Sequence, residues 1–248
     1  MRNITDTVKH LLIINVIFFI ATLALGDIVF DLFALHYPYN PKFQFWQPLT
    51  HMFMHGDLGH IFFNMFALYM FGIPIEQMWG RNKFIFFYLS TGFGAASLQL
   101  GLYYFQISEI SELLISMGQT RSQIATFFET RDISYVLIEQ IGRDRLLSGL
   151  SSFNSVMVGA SGALYGVLVA FAFLFPNARL MLLFPPIPIK AKVLVPLLIL
   201  GDLFFGFTSY SIGPIAHFAH LGGAITGLIM MWYWKKINLI KTVGTNEF

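Results

Sequence analysis

Six stretches of the chain are predominantly apolar and are separated by polar, charged or Pro/Gly-containing segments: Leu11–Gly26, Leu58–Met78, Phe84–Phe105, Val156–Phe175, Val193–Ser209 and Ile215–Trp234. A membrane-spanning helix needs about 20 mostly apolar residues. The first and fifth stretches are short for that, and the fifth carries Asp202. None alternates apolar and polar positions as a barrel strand does, and only helices or closed barrels satisfy their backbone groups in lipid. The pattern predicts an all-α membrane protein, a bundle of six transmembrane helices forming one domain over residues 1–248.

The segment between the third and fourth stretches, about 106–155, reads differently. Glu109, Glu112, Glu129, Asp132, Glu139 and Asp144 are interleaved with apolar residues at helical spacing, such as Ile110, Leu113 and Leu114. That spacing predicts two or three amphipathic helices outside the membrane. They form an insertion between helices three and four that lies on the bilayer surface or covers the bundle. The plainer alternative is a solvated spacer with no part in activity.

Charge orients the bundle. With the N-terminus in the cytoplasm, inner segments hold Arg2, Lys9, Arg81, Lys83, Arg179, Lys190, Lys192, Lys235, Lys236 and Lys241. Outer segments hold only Lys42, Arg121, Arg131, Arg143 and Arg145, four of them in the one long segment. The excess of cations inside places both termini in the cytoplasm. Composition agrees with lipid as the solvent: 56% of residues are hydrophobic and 11% charged, against about 25% charged in soluble domains. The net charge of +2 and the absence of a basic cluster give no footing for nucleic acid. There is no cysteine, which removes disulfides, thiolate metal sites and a cysteine nucleophile. Arg2 and Lys9 precede an apolar run with no clean small-residue cleavage site, so a cleaved signal is not expected.

Polar residues within spans are costly and mark function by default. Helices two, four and six all begin on the outer face by alternation. Asp57, an N-cap residue type, places the start of helix two, with Asn64 seven residues on. Helix four is expected to start near Asn154 or Ser155, and Ser161 follows the latter by six. Helix six is expected to start at Pro214, a favoured first helical residue, and His220 follows by six. All three polar residues then lie roughly 10 Å below the outer surface. His60 and Asn64 are four apart and share a helix face. Ser161 is followed by Gly162 and Gly166, and His220 by Gly223 and Gly227. Small residues at that spacing let helix backbones approach closely, as a direct Ser–His hydrogen bond between two helices requires. Serine becomes a nucleophile when a base removes its proton. The oxyanion formed by its attack needs fixed donors. His60, the Asn64 amide and the Ser161 backbone N–H are the candidate donors.

At these residues the chain resembles the rhomboid family of intramembrane proteases. The run His55-Gly56-Asp57-Leu58-Gly59-His60-Ile61-Phe62-Phe63-Asn64 is similar to the family's second-helix motif. Gly159-Ala160-Ser161-Gly162-Ala163-Leu164-Tyr165-Gly166 resembles its nucleophile motif, and Ala219-His220-Leu221-Gly222-Gly223 with Gly227 its catalytic-histidine helix. Glu76 through Gly80 and Phe184 through Lys192 look like family cytoplasmic loops. The likeness covers about 41–105 and 156–236. It implies a Ser161–His220 dyad without a required carboxylate, an oxyanion hole of His60, Asn64 and the Ser161 N–H, and Tyr165 packed on the His220 ring. It implies no cofactor and no metal, transmembrane protein substrates within the lipid bilayer, and cleavage of single-span proteins near the outer face. A bacterial plasma (inner) membrane is the expected location. Two features depart from the family pattern. Trp46 is followed by Gln47 where an arginine is frequent, and the 106–155 segment exceeds the minimal family core.

Other readings make distinct demands. A zinc protease of the membrane wants His-Glu-x-x-His on a helix, which the sequence lacks. An aspartyl protease needs two carboxylates in one site, and Asp202 is the only clear acid within a span. A catalytically silent rhomboid-like protein that binds and escorts membrane proteins is the nearest alternative. A third reading takes His51, His55, His60, His217 and His220 as metal ligands or a proton relay in a transporter. His51, His55 and His217 are otherwise expected to be structural or interfacial, and Asp202 to be paired for structure rather than to support His220.

Overall fold

The computed structural model describes residues 3–181, 187–208 and 216–237. Helix α1 (Asp6–Leu25) opens the bundle and is followed across Gly26 by the short α2 (Asp27–Phe33). The start of α1 is capped from outside. Glu76 accepts from the N–H groups of Thr7 (2.8 Å) and Val8 (2.9 Å) and from the Thr5 hydroxyl (2.5 Å). A carboxylate there satisfies orphan helical donors and sits at the positive end of the helix dipole. Glu76 is thus a second buried acid in an apolar helix, beside the expected Asp202.

A loop leads to α3 (Gln47–Thr50) and one 3₁₀ turn, His51–Phe53. The next span is built of α4 (Leu58–Ala67), a π turn (Leu68–Gly72) and α5 (Ile73–Trp79). The widened turn stands just before Pro74, which has no N–H to offer the ladder. Asp57 caps α4 as expected, its carboxylate accepting from the His60 N–H at 2.8 Å. Helix α6 (Arg81–Ser116) has 36 residues, about 54 Å at 1.5 Å per residue. The third span therefore does not stop at Phe105: no turn residue interrupts the helix there, and it continues into the segment expected to be separate.

That segment goes on as α7 (Arg121–Thr130), α8 (Tyr135–Ile141) and α9 (Arg143–Asn154). Thr120 and Gln123 form a reciprocal capping box on α7, and the Ser134 hydroxyl caps α8. Ile124, Phe127, Phe128, Ile141, Leu146, Leu150 and Phe153 pack with Ile107, Ile110 and Leu114 of α6 and with Tyr37 in one apolar cluster. Asn40 donates to the Phe153 carbonyl at 3.0 Å, tying the cluster to the loop before α3.

Helix α10 (Ser161–Leu174) starts at Ser161, not near Asn154 or Ser155. The residues before it are drawn straight by Leu35 and Met157, whose N–H groups each donate to the other's carbonyl at 3.0 and 2.9 Å. A ribbon of β1 (Arg179–Met181) and β2 (Pro188–Lys190), paired Arg179 to Lys190, is a small exception to the all-α expectation. Helix α11 (Ala191–Phe207) contains Pro196, and α12 (His217–Lys236) closes the bundle. Its described start is His217; Pro214, the expected start, lies outside the described residues, as does Phe184-Pro185-Pro186. Among the described residues, three helices are long and apolar enough to cross a membrane: Asp6–Leu25, Leu58–Trp79 and Arg81–Ser116. Ser161–Leu174 is apolar but shorter, because its first turn is replaced by the extended lead-in. The molecule is an integral membrane protein with a multi-helix fold.

Candidate active site

Helices α6, α10 and α12 meet through surfaces of glycines and small side chains. A Cβ added to Gly223 of α12 would lie 1.8 Å from the carbonyl oxygen of Gly162 on α10. One added to Gly227 would lie 2.8 Å from the Gly166 Cα, and one on Gly222 would lie 2.6 Å from the Gly94 carbonyl of α6. Thr91 of α6 donates to the Ala163 carbonyl at 3.2 Å, joining α6 to α10. Backbones this close place residues near the helix starts within direct reach of each other.

Ser161 and His220 are brought together there. His220 Nε2 lies 2.9 Å from Ser161 Oγ. Ser161 is the first residue of α10, and His220 is in the first turn of α12. The Tyr165 ring lies flat on the imidazole, with centroids 4.3 Å apart and planes 9° apart. This fixes the plane of the histidine while the serine hydroxyl fixes one edge.

Gly159 has φ +120°, a conformation that side chains rarely adopt. A Cβ there would also meet His60 Nε2 at 2.7 Å and stand 3.6 Å from Ser161 Oγ. The His60 ring and the Ser161 hydroxyl therefore flank one small space that only glycine leaves open. The Gly159 N–H donates to the His51 carbonyl at 2.9 Å, which holds the lead-in to Ser161 against the turn before α4. Asn64 is buried one helical turn below His60, and among the described residues its Nδ2 has no partner. An unsatisfied buried donor is costly, so this amide is poised for an acceptor that arrives from elsewhere. The first N–H groups of α10 have no partner within the helix either.

The remaining histidines divide. His55 stands edge-on to His60, with centroids 4.9 Å apart. His51 is buried, with Nδ1 3.0 Å from the Gln47 carbonyl. Gln47, at the position where an arginine is frequent, is itself buried. It accepts from the His36 N–H and donates to the carbonyls of Asp31 and Lys42, so it fastens the loop rather than meeting lipid. Of the five histidines, His217 and His220 come together with Asp202, among the described residues, as a group that could hold a metal ion.

The residues that sequence reasoning undervalued are Asp202 and His217. Asp202 Oδ1 receives His217 Nδ1 at 2.6 Å and His220 Nδ1 at 3.0 Å, and the Tyr165 hydroxyl bonds to the same carboxylate. Asp202 is paired, as expected, and its partners include the imidazole that faces Ser161. Asp202 is on α11 and His220 on α12, so no spacing along one helix could have revealed the contact. Asp202, His217 and His220 are also, among the described residues, a group with ligand atoms all within 4.8 Å of one another, as a metal site requires.

An integral membrane bundle with a serine hydroxyl on an imidazole at the ends of two glycine-packed helices defines a class of protein, and sequence comparison narrows it. Residues 42–237 match the Rhomboid domain, and the chain belongs to the rhomboid family. It is 26% identical over 186 residues to "Rhomboid protein 1, mitochondrial" of Saccharomyces cerevisiae, covering 74% of this chain and 40% of that protein. The chain thus spans less than half the length of that relative.

Proposed function

We propose that the protein is an intramembrane serine endopeptidase that cleaves single-span membrane proteins near the outer face. The observation that carries this reading is the 2.9 Å contact between Ser161 Oγ and His220 Nε2. His220 takes the serine proton as Oγ attacks the scissile carbonyl. The electron pair moves to the carbonyl oxygen, which the His60 ring, the Asn64 amide and the Ser161 N–H stabilise. The tetrahedral species collapses, the C–N bond breaks, and His220 returns the proton to the leaving amine. Water then repeats the sequence on the acyl-serine. Tyr165 holds the imidazole plane, while Gly159, Gly223 and Gly227 provide the close approach.

The wider proposal is one domain over residues 1–248 with six spans, α10, α11 and α12 completing the three longer ones. The 106–155 segment is an extracytoplasmic insertion, both termini face the cytoplasm, and the membrane is a bacterial plasma membrane. The distribution of Lys and Arg supports that orientation. Labelling by a fluorophosphonate probe and cleavage of a transmembrane substrate test the core claim. Both are expected in the wild type and both are lost in a folded Ser161→Ala variant. Cleavage retained in that variant overturns the reading, and a wild type that never labels or cleaves points to a binding and escort role.

A second reading has its own observation. Asp202, His217 and His220 have the donor types and proximity to hold a divalent cation. Ligands about 2.0–2.1 Å from a tetrahedral zinc stand roughly 3.3 Å apart, whereas His217 Nδ1 and Asp202 Oδ1 are 2.6 Å apart, a hydrogen-bond spacing. The cluster must widen to admit an ion. An ion bound through His220 would also withdraw the base from Ser161, so metal loading and serine labelling exclude each other. Metal content and the effect of zinc on labelling decide between the two.

A further inference from the structure

We propose that Asp202 is a positioning residue for His220, so that a Ser161–His220–Asp202 relay spans α10, α12 and α11; this rests on the protease reading above. The two ring nitrogens of His220 have different partners. Nε2 faces Ser161 Oγ at 2.9 Å, and Nδ1 faces Asp202 Oδ1 at 3.0 Å. An aspartate accepts only, so Nδ1 carries the proton and Nε2 presents its lone pair to the serine. The carboxylate thereby selects the one neutral tautomer able to act as base.

The carboxylate is also placed to matter once the proton has moved. Attack by Oγ leaves His220 with a full positive charge. Its side chain and that of Asp202 are only 13% and 7% exposed, so water contributes little to stabilising that charge. A fixed anion one hydrogen bond away does so without reorganising. Asp202 keeps no proton in this scheme. The proton travels from Oγ to Nε2 and on to the leaving amine.

His217 explains how such an ion is held inside a membrane protein. A buried carboxylate is costly unless its oxygens are bonded. His217 donates to the same Oδ1 at 2.6 Å, and the Tyr165 hydroxyl bonds to the carboxylate as well. The ring of that tyrosine is the one stacked on His220. One side chain therefore fixes both the plane of the imidazole and the anion at its edge. A purely structural Asp202–His217 pair would not need the Nδ1 side of His220 turned toward it.

The test uses the full-length protein purified in detergent and returned to liposomes, with kcat, KM, fluorophosphonate labelling rate and Tm measured on each variant. Asp202→Asn keeps the shape and removes the charge. Its kcat and labelling rate are expected to fall on the order of 10²–10⁴-fold, as loss of a triad carboxylate does. KM should change by less than about threefold, the split that marks an interaction made in the transition state. Asp202→Glu should recover part of kcat. If Asp202→Asn does not fold, Asp202→Thr carries the same measurement. The proposal is overturned if the neutral variant keeps wild-type kcat and labelling rate, or if kcat falls only in step with Tm and glutamate restores nothing. In either case active wild type with inactive Ser161→Ala leaves the protease reading standing. A wild type that neither labels nor cleaves removes that reading and this proposal together.

Discussion

The centre of the bundle and the 106–155 segment are parts of one chain that pack by opposite rules. At the centre, α6, α10 and α12 touch through glycines: Gly222, Gly223 and Gly227 face backbone atoms of the next helix, and Gly94, Gly162 and Gly166 face the small side chains of Thr226, Ala95 and Thr91. In the segment, Phe127, Phe128, Leu146 and Phe153 interdigitate with Ile107, Ile110 and Leu114, and side chains keep the backbones apart. On the proposed topology, with the segment outside the membrane, the difference follows from what each region gains by packing. In lipid there is no hydrophobic drive between helices, so close van der Waals contact and hydrogen bonds decide association. Where water surrounds the helices, burying large apolar side chains is itself the driving force. The glycine-packed region holds Ser161 and His220, the pair proposed for chemistry; the side-chain-packed region holds no residue proposed for it.

The same methyl group placed in each region should give the largest difference. Gly223→Ala meets the Gly162 carbonyl oxygen at 1.8 Å, and backbone cannot turn aside. Gly149→Ala meets Cγ1 of Ile110 at 2.6 Å, a side chain that can change rotamer. Overpacking a core costs about 1–3 kcal/mol. Gly149→Ala should fall within that range and keep serine labelling. Gly223→Ala should exceed it and lose both cleavage and labelling, as read from Tm and probe incorporation. Equal effects at the two sites would show that the centre is not uniquely tight.

A smaller effect is expected from the oxyanion donors, which line the tight region without building it. His60→Ala and Asn64→Ala should each lower kcat about 10²–10³-fold, with a smaller change in KM and little change in Tm. For Asn64 the stability should fall little, because its Nδ2 has no hydrogen-bond partner among the described residues. Unchanged kcat in both variants would reduce the pair to helix–helix glue.

The mildest change concerns the other region as a whole. Replacing 108–149 by a short Gly/Ser linker should leave fluorophosphonate labelling of Ser161 intact while the rate or site of transmembrane-substrate cleavage shifts. The segment ends six residues before Ser161 and is tied to the loop before α3 through Asn40 and Phe153. It is therefore placed to select or admit substrates. Loss of labelling in a folded variant would give the segment a part in building the site. Unchanged labelling and cleavage across several substrates would make it the inert spacer.

Much of the site was legible in the sequence because its signals are local. Asp57 as a cap, His60 and Asn64 on one face, and glycines three or four residues apart are properties of a single helix. The boundaries were less legible. Nothing polar enough stops α6 at Phe105, and the extended lead-in that makes Ser161 the first residue of α10 depends on Leu35, over a hundred residues earlier. The histidines offered no local sign of their partners. His217 and His220 lie three apart on α12, yet what joins them is a carboxylate from α11.

From the sequence alone came the lipid solvent, the family and the candidate serine, histidine, amide and glycines, since composition, span length and motif are written along the chain. Only the tertiary structure decided that Nδ1 of His220 is turned to Asp202, that Glu76 caps α1, and that α7 to α9 fold back on the end of α6. Each of these joins residues on different helices, and their meeting is set by how closely backbones pack, which periodicity along one helix does not encode.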